Sequence, residues 1–345
     1  MGGPERASER HRTRLGGDRF HRRPVREPAW RKPPRRRPDG EAGHAGGHRR
    51  GGGLAGERRG ELRDRQHRGH RWRAAAAVSP TPPPEELLAL ATDIASQAAQ
   101  LIARFATTGF GVDTKSTRTD MVTDADQGSQ SLIERLIREA RPDDGWLGEE
   151  GAARPGTSGV RWVFDPLDGT TNFVYRIPAF AVSIGIEVNG KVVAGVVHDV
   201  AHGQTFTASL GKGARLNGAS IAISGKVDLG TALLATGFGY DPSRRAEQGA
   251  MLARVLPNIR DIRRGGSAAL DLCHVASGQL DGYFEYRLNP WDIAAGGIIA
   301  REAGAATGGF GGHTFEDGYV IACAPGLLPE ATALVERAYA EARGL

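Results

Sequence analysis

Trp162-Val163-Phe164-Asp165-Pro166-Leu167-Asp168-Gly169-Thr170-Thr171-Asn172-Phe173 is the stretch around which the rest of the chain is best read. Trp162, Val163 and Phe164 are aromatic or β-branched, the signature of a buried strand. Asp165-Pro166 and Asp168-Gly169 then punctuate it as a tight turn. Two carboxylates at a strand end, with the Leu167 carbonyl between them, aim three hard oxygen donors at one point. That is the donor set Mg²⁺ prefers, with water and a phosphate completing the octahedron. Gly169, Thr170 and Thr171 follow with backbone N–H groups and a hydroxyl, as where a helix N-terminus faces a phosphate. Taken singly, D-P and D-G are ordinary turn dipeptides. What accompanies them therefore decides between a turn and a metal-binding end.

Charge divides the chain. Residues 1–80 hold 22 Lys+Arg against 9 Asp+Glu, while the remaining residues hold 23 against 31. The high pI thus belongs to the leader, and the body is acidic. An acidic body suits cation binding and argues against a nucleic-acid-binding core. The leader is Arg, Gly, Pro and His without apolar periodicity, so it cannot offset its ordering entropy and is expected to be disordered. It could be a basic arm that touches nucleic acid, a tail without function, or sequence upstream of the true start in a GC-rich gene. Cys273 and Cys323 both lie in apolar contexts and read as reduced core residues of a cytosolic protein. No apolar run approaches membrane-spanning length, and the leader lacks a signal-peptide core.

The body starts at Pro82-Pro83-Pro84-Glu85-Glu86, with acids in the first turn of a helix that keeps its period to Gly109. Residues 111–125 are polar and turn-rich. A second helix carries Leu132, Ile133, Leu136 and Ile137 and ends before Pro142. Asn189-Gly190, flanked by Phe180–Val188 and Lys191–Val197, is a hairpin signal. The first half, 81–225, is expected to be α+β with an antiparallel sheet. In the second half, 226–345, strands at Ala232–Thr236, Ile259–Ile262, Leu280–Phe284 and Val320–Ala322 alternate with helices near 243–256, 266–277, 291–303 and 327–342. That alternation suggests an α/β layer. If the third strand runs to Tyr286, alternation sets Phe284 and Tyr286 on one face and Glu285 and Arg287 on the other. Arg287 could then approach the pocket of Glu285 and pair with a second phosphate; the alternatives are that it pairs with Glu285, points to solvent or reaches a partner subunit.

Four further stretches accompany the central one. Gly148-Glu149-Glu150 lies just upstream of it, although a Glu pair on a loop is ordinarily solvated. Trp291-Asp292 opens the helix I-A-A-G-G-I-I-A-R-E-A-G, whose Asp suits the macrodipole and whose small residues allow close packing on a sheet. Lys115 and the run Asp120 to Asp126 read on their own as a surface lysine and a helix cap. Arg264-Gly265-Gly266-Ser267-Ala268-Ala269-Leu270-Asp271 is a glycine turn into a helix. Taken in their order along the chain, over about residues 85–345, the stretches resemble the inositol monophosphatase family. W-V-F-D-P-L-D-G-T-T-N-F is similar to its metal-binding signature, and W-D with the Ala/Gly-rich helix to its second.

The resemblance implies a layered α/β/α/β/α sandwich and Mg²⁺-dependent hydrolysis of a phosphate monoester without a phosphoenzyme. Myo-inositol 1-phosphate is the leading substrate. Glu149, Asp165, the Leu167 carbonyl, Asp168 and Asp292 would hold two or three Mg²⁺. Thr170, paired with Asp126, would orient the attacking water, with Lys115 close to the metals. Gly169 and Thr170 would hold the phosphate; Ala268 and Glu285 would bind hydroxyls of the alcohol, with Asp292 on the substrate side as well. A cytoplasmic, lithium-sensitive homodimer is implied too. Fructose 1,6-bisphosphatase, NADP phosphatase and histidinol-phosphate phosphatase activities stay open, as does a non-catalytic role with the transcription machinery, which some bacterial relatives bind. Arg287-Leu288-Asn289-Pro290 departs from the Gly-containing stretch frequent before W-D, so the alcohol is less firmly implied than the reaction. Val200 stands where Pro is frequent.

Overall fold

The computed structural model describes residues 82–344 other than 116 and 118. The leader expected to be disordered lies outside the described residues. The chain opens with α1 (Pro84–Thr108), which has Pro at its start, Glu85 and Glu86 in its first turn, and one buried stripe from Leu87 to Ile102. The polar stretch expected to be turns instead contains a short antiparallel hairpin, β1 (Val112–Thr114) and β2 (Met121–Thr123). Thr123 then caps α2 (Asp124–Ala140), and Asp126 closes a capping box by accepting the Thr123 N–H.

β3 (Gly145–Gly148) and β4 (Val160–Asp168) pair in parallel, followed by the short α3 (Thr170–Tyr175). β5 (Ala181–Val188), β6 (Lys191–Asp199), β7 (Gln204–Ser209), β8 (Ala214–Leu216) and β9 (Ala219–Ile221) extend the sheet as an antiparallel meander. The order is β3-β4-β5-β6-β7-β8-β9, so the expected antiparallel sheet has one parallel edge. The second half supplies β10 (Leu233–Thr236), α4 (Pro242–Val255), β11 (Asp261–Arg263), α5 (Ala268–Ala276), β12 (Gly282–Glu285), α6 (Pro290–Glu302), β13 (Ala306–Gly308), β14 (Val320–Cys323) and α7 (Leu328–Ala342). Its strands order as β11-β10-β12-β14-β13, with β10 parallel to both neighbours and β14 antiparallel to both of its own.

Burial divides the core into layers. α1 and α2 cover one face of the first sheet, around Trp162, Phe164 and Ile184. On its other face, Val197 and Phe206 meet Leu270, Cys273, Ala295 and Ile299 of α5 and α6. Those two helices turn Leu272, Val275 and Ala300 onto the second sheet at Ala235, Tyr283 and Val320. α4 and α7 close the outer face through Met251, Val255, Leu334 and Val335. The result is the α/β/α/β/α sandwich that the resemblance implies. We propose the boundary near 225 as a division of strands between two sheets, since α6 packs on β4, β5, β6 and β7.

How close α6 comes is set by two glycines. Gly185 and Gly195 are cross-strand partners. A Cβ on them would stand 2.6 Å from the Ala294 Cβ and 2.8 Å from the Ala295 Cα. Without those methyls the helix lies directly on the sheet, and its first turn, which carries Asp292, comes to the end of β4. Cys273 and Cys323 are buried free thiols. Among the described residues no helix is long and apolar enough to cross a membrane.

α1 starts on its own proline and its first core residue is Leu87. Deleting residues 1–78 is therefore expected to leave the melting temperature unchanged and kcat/KM within tenfold, about 1.4 kcal/mol. A larger loss in a side-by-side measurement would give the leader a part in folding or turnover.

Candidate active site

β4 does not stop in a tight turn, as its sequence suggests, but continues to Asp168 through an irregularity. Asp165 pairs with Ser183 and Asp168 with Ala181, so β4 advances by one residue more than β5. Strict alternation would put residues i and i+3 on opposite faces. The extra residue of this bulge cancels that and brings both carboxylates to one side. Pro166 has no N–H to lose at the irregular position, and its carbonyl accepts from the Ser129 hydroxyl at 2.8 Å.

A cavity of about 160 Å³ opens at this point, lined by Glu149, Asp165, Leu167, Asp168, Gly169, Thr170, Ala268, Glu285 and Asp292 among others. Each acid is held by donors from its own or another element. Asp165 Oδ1 accepts the Leu167 N–H at 2.9 Å. Asp168 Oδ2 accepts the Ser267 hydroxyl at 2.6 Å and the Ala269 N–H at 2.8 Å, which fastens the start of α5 to the end of β4. Asp292 Oδ2 accepts the Asn289 N–H at 2.7 Å as the third residue of a capping box. Lys115 joins Glu149 at 2.7 Å and also bridges Glu150.

Asp126 and Thr170 form a buried pair, with the Thr170 hydroxyl donating to Asp126 Oδ1 at 2.8 Å. The other Asp126 oxygen takes the Thr123 N–H at 2.8 Å and the Thr123 hydroxyl. Thr170 Oγ1 also lies 3.1 Å from the Leu167 carbonyl. Gly169 is in the left-handed region at φ 95°, and α3 has six residues. A phosphate here would meet individual N–H groups rather than a long helix dipole, which modifies the sequence reading.

Burial pushes Asp165 well above the usual carboxylate range, and repulsion from Glu149, Asp168 and Asp292 adds to it. Asp168 is pushed up to about 6 by burial, against the Ser267 and Ala269 hydrogen bonds. Asp292 is raised by burial and by Asp168. Burial likewise raises Asp126, against its threonine bonds, and takes Glu150 up to about 7. Burial pulls Lys115 down, but the charges and hydrogen bonds of Glu149 and Glu150 outweigh it and the net shift is upward. Among the described residues no three Asp, Glu, His or Cys side chains close into one coordination shell. The acids stand around the cavity instead. Hard oxygen donors that repel one another in a buried wall are the donor chemistry a divalent cation fits.

All the residues singled out from sequence reach this cavity or its immediate support, Arg287 at its rim. β12 ends at Glu285, Arg287 turns left-handed at φ 58°, and its exposed side chain is held by Tyr319 at the cavity rim. The arginine beside Glu285 is Arg244, 4.0 Å away, which sequence reasoning missed. It lies in the first turn of a polar helix and reads as a solvated cation. Ser267 reads in sequence only as part of a glycine turn; its place as N-cap of α5 is the signal that marks it.

A family model described as "Inositol monophosphatase family" matches residues 84–341. The inositol-1-monophosphatase of Mycobacterium leprae is 43% identical over 279 residues, covering 74% of this chain and 94% of that protein. The Nus factor SuhB of Pasteurella multocida is 45% identical over 220 residues, covering 63% and 82%. Among solved structures, the inositol monophosphatase from Anabaena superposes with a TM-score of 0.65 at 32% identity, covering 74% and 96%. The five layers, the bulged acidic strand and a match spanning the described body agree, and the chain belongs to the inositol monophosphatase family, a family of metal-dependent phosphoric monoester hydrolases.

Proposed function

We propose that this chain hydrolyses phosphate monoesters with Mg²⁺, myo-inositol 1-phosphate first among them, by direct transfer of the phosphoryl group to water. The observation that carries the reading is the single cavity onto which Glu149, Asp165, Leu167, Asp168 and Asp292 open. These residues would hold two or three Mg²⁺. Bound there, the cation supplies Lewis-acid polarisation of the phosphoryl group and a water of lowered pKa.

The chain's own residues position the rest. The Thr170 hydroxyl donates to Asp126 at 2.8 Å, the shorter of its two contacts, which leaves its oxygen lone pair to accept from the attacking water and aim it at phosphorus. The Gly169 and Thr170 N–H groups donate to phosphate oxygens, where negative charge is concentrated in the transition state. The Ala268 N–H and Glu285 take hydroxyls of the alcohol, and Asp292 would serve both in holding the cation and on the substrate side. Lys115 holds Glu149 and Glu150 from the β1–β2 side. Ser267 is no nucleophile: its hydroxyl donates to Asp168 and its oxygen accepts the Leu270 N–H. Two buried free thiols suit a reducing, cytoplasmic setting, and a homodimer accords with the family resemblance.

Phosphate release over a panel of inositol phosphates, sugar phosphates, histidinol phosphate and NADP tests the reading. The highest kcat/KM is expected for myo-inositol 1-phosphate, dependent on Mg²⁺ and inhibited by Li⁺ on the millimolar scale. No release from any substrate across a Mg²⁺ series would overturn it. Relatives named Nus factor SuhB favour a second reading, that the chain also acts as a Nus factor. Salt-dependent RNA binding lost on removing residues 1–80 would support that one.

A further inference from the structure

Arg244 stands one turn into α4, with its side chain on the cavity wall and 16% exposed. Nη2 donates to the Tyr286 carbonyl and lies 4.0 Å from Glu285 Oε1, and the guanidinium sits 5.4 Å from the Tyr286 ring. Its Nε is buried and has no hydrogen-bond partner among the described residues. The rest of the side chain lines the cavity beside Glu285.

Space for this arrangement is made by the Gly237-Phe238-Gly239 turn after β10. A Cβ at Gly239 would stand 2.7 Å from both Cδ and Nε of Arg244, and one at Gly237 would stand 1.9 Å from Glu285 Oε2. Tyr283 donates its hydroxyl to Glu285 Oε2 at 2.7 Å, which leaves Oε1 on the side of the arginine. This end of the cavity therefore presents a carboxylate acceptor and a guanidinium donor side by side. A vicinal diol is the complement of that pair: one hydroxyl donates to Oε1 and the neighbouring oxygen accepts from the guanidinium edge that lines the cavity. A second phosphate is a poorer complement, because Glu285 would repel it at the distance from which Arg244 would attract it.

We propose that Arg244 is a specificity-determining residue that, together with Glu285, recognises a vicinal diol on the alcohol of the substrate. This deepens the phosphatase reading and rests on it. The test compares kcat/KM for myo-inositol 1-phosphate with that for phenyl phosphate, whose alcohol offers no diol. Wild type, Arg244→Met and Gly239→Ala are measured, the last keeping the arginine but displacing it. The ratio of the two values is expected to fall about tenfold in both variants, through KM for the inositol phosphate rather than kcat. Equal losses on both substrates, as from a role only in holding Tyr286, would overturn the proposal. So would an unchanged ratio, or a loss on fructose 1,6-bisphosphate larger than on the inositol phosphate. A wild type that cleaves neither ester refutes the phosphatase reading itself. One that cleaves phenyl phosphate while the ratio stays fixed refutes only the role of Arg244.

Discussion

Asp168→Asn is expected to lower kcat by about a thousandfold while the fold stays intact. A carboxamide at this position keeps an oxygen for the Ser267 hydroxyl and the Ala269 N–H, so the clamp between β4 and α5 survives. What disappears is one negative charge on a wall that already carries Asp165, Glu149 and Asp292. Cation-supplied stabilisation of a phosphoryl transition state is worth several kcal/mol, and each 1.36 kcal/mol is tenfold in rate. Losing a charged ligand therefore costs about three decades. Stability moves the other way, because burial and like charges already push the Asp168 carboxyl up to about 6, and the neutral amide removes that repulsion. The measurement is kcat across a Mg²⁺ titration, with a melting curve on the same samples. Near-wild-type turnover at ordinary Mg²⁺ would remove Asp168 from the proposed metal set.

Much of this cavity was legible because its acids sit in runs whose local rules are strong. The Thr123–Asp126 capping box, the Pro-led α1 and the Ala/Gly-rich α6 are readable from spacing alone. The bulge was not. D-P-L-D reads as a turn, and only pairing with β5 shows that the strand continues and brings its carboxylates to one side. The β1–β2 hairpin escaped for a different reason. Val112, Asp113 and Thr114 are all exposed, so there is no alternation to detect. β13, Ala306–Gly308, is three small residues held by an edge pairing with β14. Arg287 reaches the cavity rim through a left-handed turn after the end of β12, not through the strand alternation that its sequence suggests. Partners distant in sequence, such as Ser267 for Asp168, follow from the packing of α5 on the first sheet rather than from any local signal.

Chelation should expose the same electrostatics as a pH-dependent loss of stability that Mg²⁺ reverses. Asp168 shifts from 3.8 up to about 6 on folding, and Glu150 from 4.5 up to about 7. Asp165 and Asp292 are displaced in the same direction, mainly by burial. Between the unfolded and folded values the folded chain binds more protons, so stability falls as pH rises. The window runs from about 4 to about 7. Lys115 is raised from 10.5, so its contribution is fully present below that value and constant across the window. In EDTA the melting temperature is therefore expected to fall from pH 5 to pH 7.5. Mg²⁺ at about a hundred times its Kd should return about 2.7 kcal/mol, or roughly 5–10 °C, at pH 7.5 and much less at pH 5, where protons occupy the acids. Other carboxylates also titrate below pH 5, so the slope in Asp168→Asn is the control and should be shallower. A chelated protein whose melting temperature stays level or rises over this range would contradict the burial of these acids. An equal Mg²⁺ effect at both pH values would place the ion elsewhere.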